Sequence, residues 1–577
     1  MANNNPSAES SASSLSVMND VESQKHEPHP STSIPHWRLV ASQTLITQDV
    51  LNHPYKGAGT IQDPYVVEFI RQDPRNPMEW TQVKKWFITC VVAIATLAVS
   101  LISSAYTGGM HQLMEEFQCS RLVATLGLSL FVLGFALGPL LWAPLSELYG
   151  RQILFFGTYA ILTAFNAGCA GANSIGSLIV LRFLAGTFGS SPLTNAGGVI
   201  ADMFPSNQRG LGMSIFAAAP FLGPVIGPVI GGFVGETVGW RWIHGIMAIF
   251  TGTLWIIGAL LVPETYAPVI LERRAKALSK RTGKVYISLL EHRQGKITAG
   301  AAFSKALVRP WALLFLEPIV LLISIYLAIV YGTLYLLFGA FPIVFQESRG
   351  WSQGIGGLAF LGVAVGMLIG TTYAIIDNKR YRRLGDARED GEAPPEAGRL
   401  PPAIAGAIAL PLGMFWFAWT NSPSIHWIVC IIGTAPFGFG MVLTFLGSMN
   451  YLVDAYTIYA ASVLAASAVI RSVFGAVFPL FTSQMYAALG IHWASSIPAF
   501  LALACAPFPI IFLKYGEAIR MKCKYAAHAH HVMQEMKLSR QRTKEQQQQG
   551  QLTNPQPISQ PDDEKTESGE VDVPVRS

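Results

Sequence analysis

Apolar runs of about twenty residues recur along this chain between short polar turns, and no other feature constrains its fold as strongly. At about 1.5 Å of rise per residue, a helix of that length crosses a hydrocarbon core about 30 Å thick. Bulk composition agrees, because charged residues make up only 13% of the 577 and hydrophobic ones 51%, where a soluble domain carries about 25% charged. The charges gather before residue 85, in 263–312, in 377–402 and beyond 513. Cys90, Cys119, Cys169, Cys430, Cys505 and Cys523 are scattered with no paired spacing, so neither a disulfide scaffold nor a CxxC-type metal site is expected. A basic balance of +5 could suggest nucleic acid, but positive charge beside membrane spans has a plainer cause, and no nucleic-acid partner is expected.

Twelve runs qualify as spans: 86–106, 122–144, 153–172, 177–200, 211–235, 243–262, 313–343, 354–376, 403–420, 426–449, 458–484 and 494–513. The expected fold is therefore an all-α membrane protein with twelve transmembrane helices in two six-helix halves, 86–262 and 313–513. A hydrophilic loop, 263–312, joins the halves, and tails flank them at 1–85 and 514–577. With the N-terminus placed in the cytoplasm, 35 of the 40 Lys and Arg residues fall on the inner side. Arg121, Arg241 and Arg349 fall outside, while Arg182 and Arg471 lie within spans. That bias puts both termini in the cytoplasm. Residues 1–60 are rich in Ser, Asn, Pro and His and lack a basic segment followed by an apolar core, so no cleavable signal is expected. The N-terminal tail and the Gln-rich end beyond about residue 540 read as disordered. Within the central loop, the basic stretch from Val269 to Arg281 suits either a helix on an anionic leaflet or a solvated linker.

Specific motifs sit at the span ends. The second span closes with Gly138-Pro-Leu-Leu-Trp-Ala-Pro-Leu-Ser-Glu147-Leu-Tyr-Gly150-Arg151, and Asp377-Asn-Lys-Arg-Tyr-Arg-Arg383 follows the eighth. The fourth span carries Leu181-Arg182-Phe-Leu-Ala-Gly186 and ends in Ala201-Asp202-Met-Phe-Pro-Ser-Asn-Gln-Arg209-Gly210. In the fifth lies Gly223-Pro224-Val-Ile-Gly227-Pro228-Val-Ile-Gly231-Gly232. Glycines four apart share one helical face and admit a neighbouring helix closely, while the prolines bend the helix. Together these motifs resemble the major facilitator superfamily, whose layout is two six-span halves about a midplane substrate site. Further segments are similar to fungal members of its twelve-span drug:proton antiporter-1 family. They are Asp73-Pro-Arg-Asn-Pro-Met-Glu-Trp80, Gly239-Trp-Arg-Trp242, Pro263-Glu-Thr-Tyr-Ala-Pro268, Glu317-Pro318, Tyr331-Gly-Thr-Leu-Tyr335, Asn450-Tyr-Leu-Val-Asp454-Ala-Tyr456 and the run Arg471 to Phe481.

The resemblance implies alternating access and export of a hydrophobic or amphiphilic small molecule, a secondary metabolite, toxin or drug, across the plasma membrane in exchange for protons. It implies a monomer with no cofactor, no metal and no enzymatic step. It places gating at Gly138, Glu147, Gly150, Arg151, Asp202, Arg209, Asp377 and Asp454, and the antiporter motif at Gly223, Pro224, Gly227, Pro228, Gly231 and Gly232. An arginine within a span faces a cavity or a partner by default, so Arg182 and Arg471 are candidate cavity residues, with Tyr331, Tyr335, Phe338 and Phe341 as an aromatic lining. Carboxylates occur only at span ends, leaving Glu317, Asp202 or Asp454 for proton coupling, with uncoupled facilitated diffusion as the other possibility. A polyamine or nutrient carrier and a non-transporting receptor stay open as alternatives. Two cations without a buried acid disfavour a polycation, and a receptor usually needs a larger signalling tail than 514–577 offers.

Overall fold

Inside hydrocarbon each backbone N–H and C=O has to be satisfied within the protein, so apolar runs of this length become helices. The computed structural model describes residues 34–205, 208–296, 298–386, 396–535 and 538. The disorder expected for residues 1–33 and for the tail beyond 540 lies outside the described residues. The first six spans are Gln82–Ala105, Arg121–Tyr149, Arg151–Ala170, Ile175–Met203, Arg209–Val238 and Trp240–Leu261. Spans seven to ten are Pro318–Phe341, Phe360–Asp386, Leu400–Thr420 and Trp427–Ala455. Spans eleven and twelve share one helical stretch, Ala460–Cys505, which turns at Gly490 (φ 72°, ψ 170°) and continues in Pro507–Met521.

Span one packs on five and span two on four; six spans later, seven packs on eleven and eight on ten. Between the halves, two meets eleven and five meets eight, so the second half repeats the packing order of the first. Large apolar side chains such as Ile249, Leu260, Ile369 and Leu412 stay exposed around the outside, where lipid rather than water is their solvent.

Three expectations need correction. Residues 313–316 do not begin span seven. They end a separate helix, Ala299–Leu316, because Glu317 leaves helical geometry (φ −114°, ψ 99°) and Pro318 starts a new helix. That separate helix keeps Val308, Trp311, Phe315 and Leu316 exposed.

The N-terminal tail is folded, not disordered, over its described residues. It forms short helices, His36–Ala41 and Gln48–Asn52, and a strand β1 (Tyr65–Val67) that pairs in parallel with β2 (Tyr286–Ser288) of the central loop. Finally, the basic stretch of that loop is neither a leaflet-bound helix nor a solvated linker. It forms the helix Ala267–Thr282, whose Leu271, Ala275 and Leu278 pack against Val50, Tyr55 and Val67, so its apolar face is already covered by protein.

One ion pair fastens this small domain. Arg274 donates through Nη1 and Nη2 to the two oxygens of Asp73 at 2.5 and 3.1 Å, with both side chains only 1% exposed. Nearby Arg75 donates to the Leu39 carbonyl, and burial pushes its guanidinium down to about 10. The domain then grips the turn between spans two and three: Arg273 donates to the Tyr149 carbonyl at 2.6 Å and Gln152 to the Val40 carbonyl at 3.0 Å. Removing one partner of a buried ion pair strands the other charge at a cost of about 3–5 kcal/mol. Asp73→Ala is therefore expected to release residues 34–80 while the spans stay folded. Limited proteolysis of the purified chain should show cleavage there at least tenfold faster than in the wild type.

Candidate functional site

The turn between spans two and three is shaped by Gly150, whose φ of 98° suits glycine and where a Cβ would collide with the Glu264 carboxylate. Glu264, fully buried, accepts from the backbone N–H groups of Arg151 (2.9 Å), Gln152 (3.2 Å), Thr265 (3.0 Å) and Tyr266 (3.0 Å). It thereby caps span three, whose first N–H groups have no intrahelical acceptor. The Arg151 side chain reaches Asp202 (3.4 Å), the Ser146 hydroxyl (2.5 Å) and Asn195 (3.4 Å), and lies over the Tyr266 ring. Burial pushes the Tyr266 phenol up to about 12.

Glu147 departs from expectation. It is exposed and makes no ion pair among the described residues, so Asp202 supplies the acid that Arg151 meets. Arg209 opens the helix of span five; its side chain lies outside the described residues.

A matching arrangement occurs six spans later, between Asp454, already a candidate from the sequence, and Arg399, which was not. Arg399, at the start of span nine, donates to Asp454 at the end of span ten (2.9 Å) and lies 3.5 Å over the Tyr381 ring, whose hydroxyl also donates to Asp454 at 3.1 Å. Arg399 to Asp454 thus repeats Arg151 to Asp202. Asp377 instead pairs with Arg380 one turn along its own helix. Both Arg–Asp ion pairs join neighbouring spans of the same half, so in this conformation neither ties the halves together.

Between the halves, polar contacts cluster on the opposite face. Arg121 pairs with Glu347 (2.6 Å), and Glu236 accepts from the Gly354 N–H (2.7 Å) and the Ser352 hydroxyl (3.0 Å), while Gln353 donates to the Gly108 carbonyl. The glycine-proline run of span five lies directly beneath. A Cβ on Gly223, Gly227 or Gly231 would overlap atoms of span one between Leu97 and Ala105, and one on Gly232 would overlap the Gln353 carbonyl of the other half. Because Pro228 has no N–H, the Pro224 carbonyl loses its helical donor; the Ser104 hydroxyl of span one donates to it instead, at 2.7 Å. Gly138 has the same kind of role in span two, where a Cβ would overlap the Ser190 hydroxyl of span four.

Arg182 and Arg471 prove unlike each other. Arg182 is fully buried, donating to the carbonyls of Gly127, Ile102 and Ser103 at 3.0 Å each, with the Phe131 and Tyr106 rings against its guanidinium. It binds spans one, two and four together, with each of its three nitrogens bonded to a backbone carbonyl, which corrects its assignment as a cavity residue. Arg471 has no hydrogen bond or ion pair among the described residues. Its guanidinium lies 5.2 Å from the Tyr331 ring centre and 4.9 Å from that of Phe445.

A hydrogen-bonded series links this region to the first half. Tyr331 donates to the Tyr335 hydroxyl (3.3 Å), which meets the Ser103 hydroxyl (2.9 Å). Phe445 meets Phe221 of the first half at 4.4 Å. Phe338 packs on Tyr335 and Phe360, whereas Phe341 packs on Phe360 and Phe417 within the second half and so lies away from the interface. Glu317 is fully buried with both oxygens engaged, accepting from the Tyr456 hydroxyl (3.0 Å) and the Tyr525 N–H (2.8 Å).

The sequence reading held Glu264 only as part of the Pro263–Pro268 segment, with no role of its own, and did not single out Arg399, because nothing near either in the chain names its partners. Glu264→Ala would leave buried N–H donors without acceptors, each costing about 1–3 kcal/mol. It is expected to lower the thermal unfolding midpoint of the purified protein well below that of Glu264→Gln, whose amide oxygen still accepts.

A profile of the Major Facilitator Superfamily matches residues 92–479. "MFS-type efflux pump MFS2" of Trichophyton rubrum is 63% identical over 519 residues, covering 90% of this chain and 87% of that protein. "Major facilitator superfamily multidrug transporter mdrA" of Aspergillus fumigatus is 62% identical over 517 residues, covering 90% and 85%. "Major facilitator-type transporter sorT" of Penicillium rubens is 58% identical over 490 residues, covering 84% and 93%. Among solved structures, the proton:xylose symporter XylE bound to 6-bromo-6-deoxy-D-glucose superposes with a TM-score of 0.55 at 16% identity, covering 76% of this chain and 96% of that one, a likeness of fold.

Proposed function

The chain belongs to the major facilitator superfamily, and from that premise we propose that it is a secondary active efflux transporter for hydrophobic or amphiphilic small molecules. Its two halves rock about the interface lined by Tyr331, Tyr335, Phe445 and Arg471, exporting cargo across the plasma membrane in exchange for protons. Both termini lie in the cytoplasm, so the face bearing the Arg121–Glu347 and Glu236–Gly354 contacts is external. One observation carries the reading: the cross-half polar contacts gather on that external face, whereas the ion pairs of the inner face stay within each half. Such a conformation is closed to the outside and suited to loading from the cytoplasm. The names of the relatives, an efflux pump and a multidrug transporter, support the direction.

Of the three acids considered for coupling, Asp202 has the loosest pairing, 3.4 Å to Arg151 and 3.3 Å to Thr265. Glu317 is held by two shorter bonds and Asp454 by Arg399 and Tyr381. A weakly held carboxylate exchanges its cation for a proton most readily, so Asp202 is the coupling candidate. Glu317 acts as an anchor for the chain after span twelve.

Expression in yeast stripped of its own drug pumps tests the export role. Accumulation of a neutral triazole is expected to fall at least threefold and to recover when a protonophore collapses the gradient. Unchanged accumulation, with the chain present at the cell surface, would refute export. In proteoliposomes, Asp202→Asn is expected to make triazole flux indifferent to an imposed pH gradient. Glu317→Gln should lower protein yield yet leave gradient dependence intact.

A further inference from the structure

Arg182 and Arg471 are both arginines within membrane spans, and the fold treats them in opposite ways. Around Arg182 it supplies three backbone carbonyls from two neighbouring spans. Around Arg471 it supplies none: the Nε atom is buried with no hydrogen-bond partner, and no carboxylate reaches the guanidinium among the described residues. What surrounds it is the Tyr331 ring at 5.2 Å and the Phe445 ring at 4.9 Å. Ring faces attract a cation but cannot accept the in-plane N–H donors of a guanidinium fork. A cation without acceptors in apolar surroundings is costly, and in a membrane span it marks a functional position by default.

Two features define the surroundings of this guanidinium. Phe445 touches Phe221 of the first half at 4.4 Å, so the site lies where the halves meet. The hydroxyls of Tyr331, Tyr335 and Ser103 are already committed to one another, leaving the guanidinium, among the described residues, as the charged donor on offer there. Its complement is a carboxylate, whose two oxygens match the fork bidentately. The flanking aromatic rings fit an apolar, planar or alkyl body behind that carboxylate.

We propose that Arg471 is the anion-recognition residue of the substrate site, and that the protein takes organic acids in their carboxylate form, with an aromatic or alkyl body seated among Tyr331, Phe445 and Phe221. This rests on the efflux reading and deepens it by naming amphiphilic anions as the preferred class within its hydrophobic and amphiphilic cargo. It also gives the polyamine alternative a physical objection, since a polycation would meet an unpaired arginine.

The test uses the full chain in nanodiscs of phosphatidylcholine, which has no net charge to compete for Arg471. Binding of 4-butylbenzoate, its methyl ester and 4-butylbenzylamine is followed by ligand-induced thermal stabilisation. In the wild type the carboxylate is expected to bind at least tenfold more tightly than the ester, equivalent to about 1.4 kcal/mol, and the amine more weakly than either. Arg471→Gln should lower the acid-to-ester affinity ratio at least tenfold, while Arg471→Lys, which keeps the charge but not the fork, should retain an intermediate ratio. Should Arg471→Gln fail to fold, the Arg471→Lys ratio and the wild-type acid, ester and amine series decide the matter. An acid preference that persists in Arg471→Gln, or a wild type that binds ester as tightly as acid, overturns the proposal. Triazole export does not enter this ratio, so a failure here and a failure of the efflux reading are separately visible.

Discussion

Hydrocarbon offers no donor to a backbone carbonyl, and much of the packing in this protein follows from how its freed carbonyls are satisfied. Pro228 leaves the carbonyl of Pro224 without its helical partner, and Ser104 of span one fills the gap at 2.7 Å. That bond needs spans one and five close together, which the glycines at 223, 227 and 231 allow by presenting no side chain to the backbone of residues 97–105. Close to the same stretch of span one, Arg182 gathers the carbonyls of Ile102 and Ser103 together with that of Gly127 from span two. The upper end of span one is thus held from both sides, and its Ser103 hydroxyl reaches Tyr335 in the other half.

On the opposite face, rigidity comes from ion pairs within each half. Arg151 with Asp202 and Arg399 with Asp454 join equivalent spans, each with a tyrosine ring against the guanidinium. Such pairs hold each half as a body without fixing one half to the other, which is what a rocking motion requires. The domain built from the N-terminal segment and the central loop, held together by Asp73 and Arg274, attaches to the first half, because Arg273 and Gln152 bind it to the turn after span two. Glu317, by contrast, ties the chain after span twelve to the second half.

The spans were legible because bilayer thickness demands a long apolar run whatever the packing. Errors came where hydropathy carries no information about direction. Leu313 to Leu316 are apolar enough to extend span seven, but Pro318 sets its start. The amphipathic stretch from Val269 showed an apolar face without showing its occupant, which turned out to be Val50, Tyr55 and Val67, some two hundred residues earlier. In the candidate site, the glycine-proline run could be read because helical spacing alone puts its glycines on one face. Glu147 was misjudged and Glu264 passed over because the acid nearest in sequence to Arg151 is not the one nearest in space.

The sequence by itself determined that the chain crosses a membrane twelve times, that its positive charge is biased to one side, and that two arginines lie where charge is costly. Those properties depend on length, hydropathy and charge count, which need no partner. Only the tertiary structure decided that Arg182 is a structural tie and Arg471 is not. The difference lies in three carbonyls, at Ile102, Ser103 and Gly127, that surround one guanidinium and have no counterpart around the other among the described residues. Hydrogen bonding acts over about 3 Å, and which groups come within that distance is set by helices brought together from remote parts of the chain.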